Sequence, residues 1–131
     1  YRGLIAQIRS RYAGVPVGAS ESIFAPLAGA LGLRLLTPGR FLNAVSEGTD
    51  PAAQDKTTVD RQIAGRRIEV WVYNSQNATP DVQRLTAAAR RAGIPVATVT
   101  ETLTPAGASF QDWQARELRG LAAALARSTG R

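Results

Sequence analysis

The 131-residue sequence contains no cysteine, no histidine and no methionine. Without cysteine and histidine, the chain has no disulfide, no thiol or Ser-His nucleophile, no zinc-finger ligands and no haem attachment site. Carboxylates, hydroxyls, amides and arginines are therefore the side chains available for chemistry. The absence of methionine, in a sequence that begins at Tyr1, also indicates a processed chain, an excised domain or a fragment.

Long hydrophobic runs are also missing from the sequence. No uncharged apolar stretch reaches the roughly 18 residues of a membrane span, and no signal peptide is visible, so any export signal would already have been removed. The composition, 44% hydrophobic and 20% charged, is that of a single globular domain and not of a disordered chain.

The basic residues give a net charge of +6, and all of them except Lys56 are arginines. Their only adjacent pairs are Arg66-Arg67 and Arg90-Arg91, and no stretch alternates them with aromatic residues. Because binding to nucleic acid requires a clustered basic surface, this scattered distribution argues against a nucleic-acid partner.

The sequence predicts helices and strands that alternate along the chain. Apolar residues at helical spacing predict a helix over 3–12 and a final helix that buries Leu118, Leu121 and Leu125. Strands are expected over 15–19, 33–36, 68–73 and 94–99, with helices beginning at Ser22, Asp50 and Thr79 and a short irregular or helical segment over 40–49. This order predicts an α/β fold: a three-layer sandwich with a four-stranded parallel sheet and helices on both faces.

Two glutamates follow predicted strands directly, Glu21 after the first and Glu101 after the last. Ligands of parallel sheets bind at the carboxyl ends of the strands, so these positions are the candidate site. The pair could be metal ligands, a general acid and base, or favourable charges at helix starts. The polar loop 74–77, after the third strand, could line the same pocket or be an ordinary loop. Nucleotide-binding glycine motifs and the GxSxG nucleophile motif are absent.

From about Tyr12 to Ala126 the chain resembles the C-terminal lobe of zinc- and manganese-type solute-binding proteins, the receptors of ABC metal importers. The resemblance lies in three stretches: VPVGASESIF at 15–24, VWVYNSQ at 70–76 and VATVTETL at 96–103. It implies that residues 1–13 are the end of a long helix joining two lobes and that residues 14–131 form the C-terminal lobe.

In such receptors the metal lies between the lobes. The resemblance places Glu21 where the family has a histidine or glutamate ligand, and Glu101 where it has an aspartate. Two histidines would come from an N-terminal lobe that this sequence lacks, giving a mixed nitrogen and oxygen site compatible with Zn²⁺ or Mn²⁺. Two glutamates alone are too few for tight binding, so the chain by itself is expected to bind metal weakly.

The function implied is that of an extracytoplasmic receptor, periplasmic or a cell-surface lipoprotein, which delivers a divalent metal to a membrane permease and is not an enzyme. Two alternatives stay open on the residues alone. One is an α/β interaction domain, and the other is an acid/base or Mg²⁺-dependent enzyme that uses the paired glutamates.

Overall fold

The computed structural model describes residues 2–77, 79–100 and 110–130. The helices are α1 (Arg2–Tyr12), α2 (Ala25–Ala30), α3 (Gly39–Glu47), α4 (Ala53–Ala64), α5 (Pro80–Arg91) and α6 (Phe110–Thr129). The strands are β1 (Pro16–Ala19), β2 (Arg34–Leu35), β3 (Val70–Asn74) and β4 (Val96–Val99), and a 3₁₀ turn (Ser22–Phe24) leads into α2.

The four strands form one parallel sheet in the order β2-β1-β3-β4. The register pairs Gly18 of β1 with Trp71 of β3, and Trp71 with Val96 of β4. Because β1 and β3 are neighbours, the segments that leave their carboxyl ends begin side by side. This adjacency positions the site described below.

Alternate strand residues serve two hydrophobic clusters, one on each face of the sheet. Val70 and Val72 pack with residues of α1, α2 and α6, whereas Trp71 packs with residues of α3, α4 and α5. The period of two sends neighbouring side chains to opposite faces, and each face is covered by helices. The predicted three-layer α/β fold with a parallel sheet is therefore confirmed.

Of the three predicted helix starts, that at Thr79 is confirmed: its side chain accepts a hydrogen bond from the backbone N–H of Val82. The starts at Ser22 and Asp50 are wrong. Ser22 lies inside the 3₁₀ turn, and its hydroxyl contacts Ser46 instead. Asp50 forms an ion pair with Lys56 at 2.8 Å, and α4 begins only at Ala53.

None of the helices in the described ranges combines the length and the apolar character needed to cross a bilayer.

Candidate functional site

Glu21 lies at the carboxyl edge of the sheet, two residues beyond the end of β1. The preceding residue, Ser20, ties this segment to β3: its N–H donates to the carbonyl of Val72 at 2.9 Å, and its hydroxyl accepts from the N–H of Asn74 at 3.2 Å. Ser20 and Asn74 are both fully buried. The backbone on either side of the candidate glutamate is thus fixed by the sheet.

The carboxylate of Glu21 is buried, with 1% of the residue exposed, and both of its oxygens accept hydrogen bonds from amides. The Nδ2 group of Asn74 donates to Oε1 at 2.7 Å, and that of Asn77 donates to Oε2 at 2.7 Å. Both oxygens of the carboxylate thus act as acceptors. Within the described part of the chain, no arginine or lysine forms an ion pair with it.

The two asparagines belong to one tight turn that follows β3. The N–H of Asn77 donates to the carbonyl of Asn74 at 3.1 Å, and the N–H of Gln76 donates to the Asn74 side-chain oxygen at 2.9 Å. This second bond is an Asx turn. Because it occupies the side-chain oxygen of Asn74, the amide nitrogen is the atom that faces Glu21.

The end of α3 closes the site from the other side. The hydroxyl of Ser46 accepts from the N–H of Ser22 at 2.9 Å, and the two serine hydroxyls are 2.8 Å apart. The amide of Asn77 also donates weakly to the carbonyl of Val45, at 3.4 Å. Glu21 is therefore enclosed by β3, its following turn and the end of α3.

The second predicted glutamate, Glu101, lies outside the described residues. Among the described residues, the structure brings together the loops that follow β1 and β3. Among residues 2–77, 79–100 and 110–130, no cluster of three or more carboxylates could hold a metal ion. Of the predicted pair, Glu21 is placed and Glu101 remains a prediction.

A cleft of about 630 Å³ opens beside this edge, lined mainly by apolar side chains of the α1, α2 and α6 regions. It includes Ile23, which is 36% exposed, and its polar side holds Thr100 and Glu117. The indole N–H of Trp113 donates to the Thr100 hydroxyl at 2.8 Å, and that hydroxyl lies 3.4 Å from Glu117. The last strand is thereby linked to α6.

Burial raises the pKa of Glu117 above its usual value of 4.5, although hydrogen bonds from Thr100 lower it in part. A raised pKa means that the folded protein holds this proton more tightly than the unfolded chain. The stabilisation that protonated Glu117 contributes to folding is therefore complete below the pKa of Glu117 in the unfolded chain. It is lost as the pH rises through the pKa in the folded protein. We expect the stability of wild type to fall relative to Glu117→Gln as the pH rises above the unfolded pKa of about 4.5.

Urea unfolding at several pH values checks this expectation. Glu47→Gln is the matched control, because Glu47 is exposed at the end of α3 and its replacement removes the same charge. A stability difference between wild type and Glu117→Gln that stays constant with pH would contradict the prediction.

The sequence alone leaves the role of loop 74–77 open and does not connect Asn74, Asn77 or Ser46 with Glu21. Asn74 and Asn77 were visible as polar residues after a strand, which is the usual place for a site. What was lacking was the strand order, since only the adjacency of β1 and β3 puts that turn over Glu21. Nothing in the residues around Ser46 signalled its contact with Ser22.

A family model described as the periplasmic zinc-uptake complex component A matches residues 1–124. No curated protein matches the sequence significantly. Among solved structures, a mutant of the laminin-binding adhesin Lmb from Streptococcus agalactiae is 17% identical with a TM-score of 0.65, covering 94% of this chain and 46% of that one. A Zn(II)-bound AdcAII variant from Streptococcus pneumoniae is 15% identical with a TM-score of 0.58, covering 95% and 46%.

A third similar structure is a metal-free mutant of a periplasmic metal-binding protein from Candidatus Liberibacter asiaticus, 15% identical with a TM-score of 0.62. At such low identity these structures show the fold alone. The chain spans less than half the length of each of them.

Proposed function

Because the chain belongs to the family of the periplasmic zinc-uptake complex component A, as the sequence resemblance predicted, we propose that it is the C-terminal lobe of an extracytoplasmic metal receptor. This family is one of transport receptors and not of enzymes. In the proposal, residues 1–13 end the helix that joins two lobes, and residues 14–131 form one wall of the metal cleft. The receptor delivers Zn²⁺ or Mn²⁺ to the permease of an ABC importer.

The observation that supports this proposal most is the environment of Glu21. Its carboxylate is buried at the ligand-binding edge of the sheet, and its partners are two neutral amides. A buried carboxylate is costly unless a positive charge compensates it. A divalent cation seated at this edge would provide that charge, and carboxylate oxygens suit both Mn²⁺ and Zn²⁺.

Glu21 is one ligand in this proposal and Glu101 is the second, with two histidines supplied by the N-terminal lobe. The likeness to a Zn(II)-bound AdcAII variant, which shares the fold, supports a divalent metal as the cargo. In this proposal the site is divided between two lobes. Each lobe would then be a weak binder, and closing the cleft would complete the coordination.

Calorimetric titration with Zn²⁺ and with Mn²⁺ tests the proposal on both the full-length receptor and the 131-residue chain. We expect tight binding by the full-length protein and weak binding by the chain. Glu21→Gln and Glu101→Gln should each lower the metal affinity of the full-length protein. We expect a loss of at least the roughly 10–100-fold that follows removal of a residue hydrogen-bonded to a metal ligand.

Glu47→Gln is the control, because it removes one exposed carboxylate on α3 without touching the site. Unchanged affinity in Glu21→Gln would remove that residue from the site. Submicromolar binding by the isolated chain, lost in Glu21→Ala, would instead indicate a self-sufficient site and contradict the two-lobe arrangement.

A further inference from the structure

We infer that the two asparagines on Glu21 have opposite effects on metal binding: Asn74 positions the carboxylate for the metal, whereas Asn77 competes with the metal for Oε2. The inference rests on the proposed function, since it assigns to Glu21 the role of metal ligand. Its starting point is that the two amide donors, although equally close to the carboxylate at 2.7 Å, are held very differently.

Asn74 is a fixed donor. It is the last residue of β3, it is fully buried, and its N–H is bonded to the Ser20 hydroxyl. Its side-chain oxygen accepts from the N–H of Gln76, which fixes the rotation of the amide. The bond to Oε1 can therefore persist while the rest of the site rearranges, and it sets the plane of the carboxylate.

Asn77 is a donor that can move away. It lies beyond the end of β3 in a turn whose tip, Ser75 and Gln76, is exposed, and it is itself only half-buried. Apart from its bond to Glu21, the side-chain amide of Asn77 donates only to the Val45 carbonyl among the described residues, at 3.4 Å. Breaking the bond from Asn77 to Oε2 therefore disturbs little of the surrounding structure.

Because only 1% of Glu21 is exposed to solvent, a cation can reach its carboxylate only if a neighbouring side chain moves. The easier movement is that of Asn77, which uncovers Oε2 and leaves Oε1 on Asn74. Glu21 then binds the metal through Oε2 alone, in an orientation set by Asn74. Asn74 is thus a positioning residue, and the metal takes the place of the Asn77 amide.

The affinities of alanine variants for Zn²⁺, measured by calorimetry on the full-length receptor, test the inference. Asn74→Ala should weaken binding by about 10–100-fold, as the loss of an outer-shell partner does. Asn77→Ala should tighten binding by roughly tenfold, because the metal no longer displaces a hydrogen bond to a charged group. Asn43→Ala is the control, since Asn43 is exposed on α3, and it should change nothing.

The sign of the Asn77→Ala effect decides the question, because a purely structural role would weaken binding or leave it unchanged. If Asn74→Ala does not fold, Asn74→Ser serves instead: its hydroxyl can still accept from the N–H of Gln76 but does not reach Glu21. Side-chain amide NMR adds a second readout, in which Zn²⁺ shifts the Asn77 signals and leaves those of Asn74 near their metal-free positions.

The outcomes separate this inference from the proposed function. Weakened or unchanged binding in Asn77→Ala, with Glu21→Gln still impaired, overturns the inference and leaves Glu21 as a ligand. Equal binding by wild type and Glu21→Gln, or none by wild type, contradicts the proposed site itself. Tighter Zn²⁺ binding by Asn77→Ala, together with weaker Zn²⁺ binding by Asn74→Ala or Asn74→Ser, supports the inference.

Discussion

Glu21→Ala is expected to lower the free energy of unfolding by about 2–4 kcal/mol in metal-free protein, since it leaves two amide donors without their acceptor. Asn74 is fully buried and cannot exchange its lost partner for bulk water. Asn77 is half-buried and keeps only its weak bond to Val45. Urea unfolding in the presence of a chelator measures this effect separately from any stabilisation by metal.

Glu21→Gln provides the graded comparison. Its carbonyl oxygen can still accept from Asn74, and its amide faces Asn77, which can rotate to present its oxygen. We therefore expect a smaller loss, about 1 kcal/mol, corresponding to one hydrogen bond. Equal losses in the alanine and glutamine variants would contradict this expectation, because they would show that the bond retained by the isosteric glutamine contributes nothing to stability.

The layer architecture could be predicted because each element has a local cause. The strand residues around Trp71 are branched or aromatic, and the Thr79-Pro80 pair gives an N-cap and a first-turn proline, both of which the structure contains. The predicted start at Asp50 failed, and there the Asp50 side chain forms an ion pair with Lys56 and caps no helix. Local sequence patterns do not encode such a pair.

The site could be predicted only in part. Glu21 was identifiable because it follows a strand in a chain with ten acidic residues. Its partners depend on the strand order, which places β3 beside β1 and so brings the turn after β3 to Glu21. The periodicity of the sequence defines strands but not their neighbours, so the contact between Glu21 and Asn77 could not be derived from it.

None of the ion pairs among the described residues includes Glu21. Arg40 pairs with Asp55, and Arg84 with Asp60, on the layer formed by α3, α4 and α5. Positive charge is therefore used to join helices there. Among the described residues, the hydrogen-bond donors to the Glu21 carboxylate are both neutral amides, an arrangement that favours an incoming cation.

Trp71→Ala is expected to have the largest effect on stability, a loss of about 3–5 kcal/mol, as for a large aromatic residue removed from a core. The Trp71 side chain is fully buried, and its indole N–H donates to the Thr86 hydroxyl at 2.9 Å.

Gly18 on β1 leaves space for the Trp71 side chain. A Cβ added at Gly18 would lie 3.1 Å from the indole ring and 2.8 Å from Cδ1 of Ile68. Gly18→Ala should therefore destabilise the fold by about 1–3 kcal/mol through overpacking, and less so in an Ile68→Val background that lacks the Cδ1 atom. Gly29→Ala is the control, because no atom lies within 4 Å of a Cβ at that position; if it costs as much as Gly18→Ala in urea unfolding, close packing between β1 and β3 is not the cause.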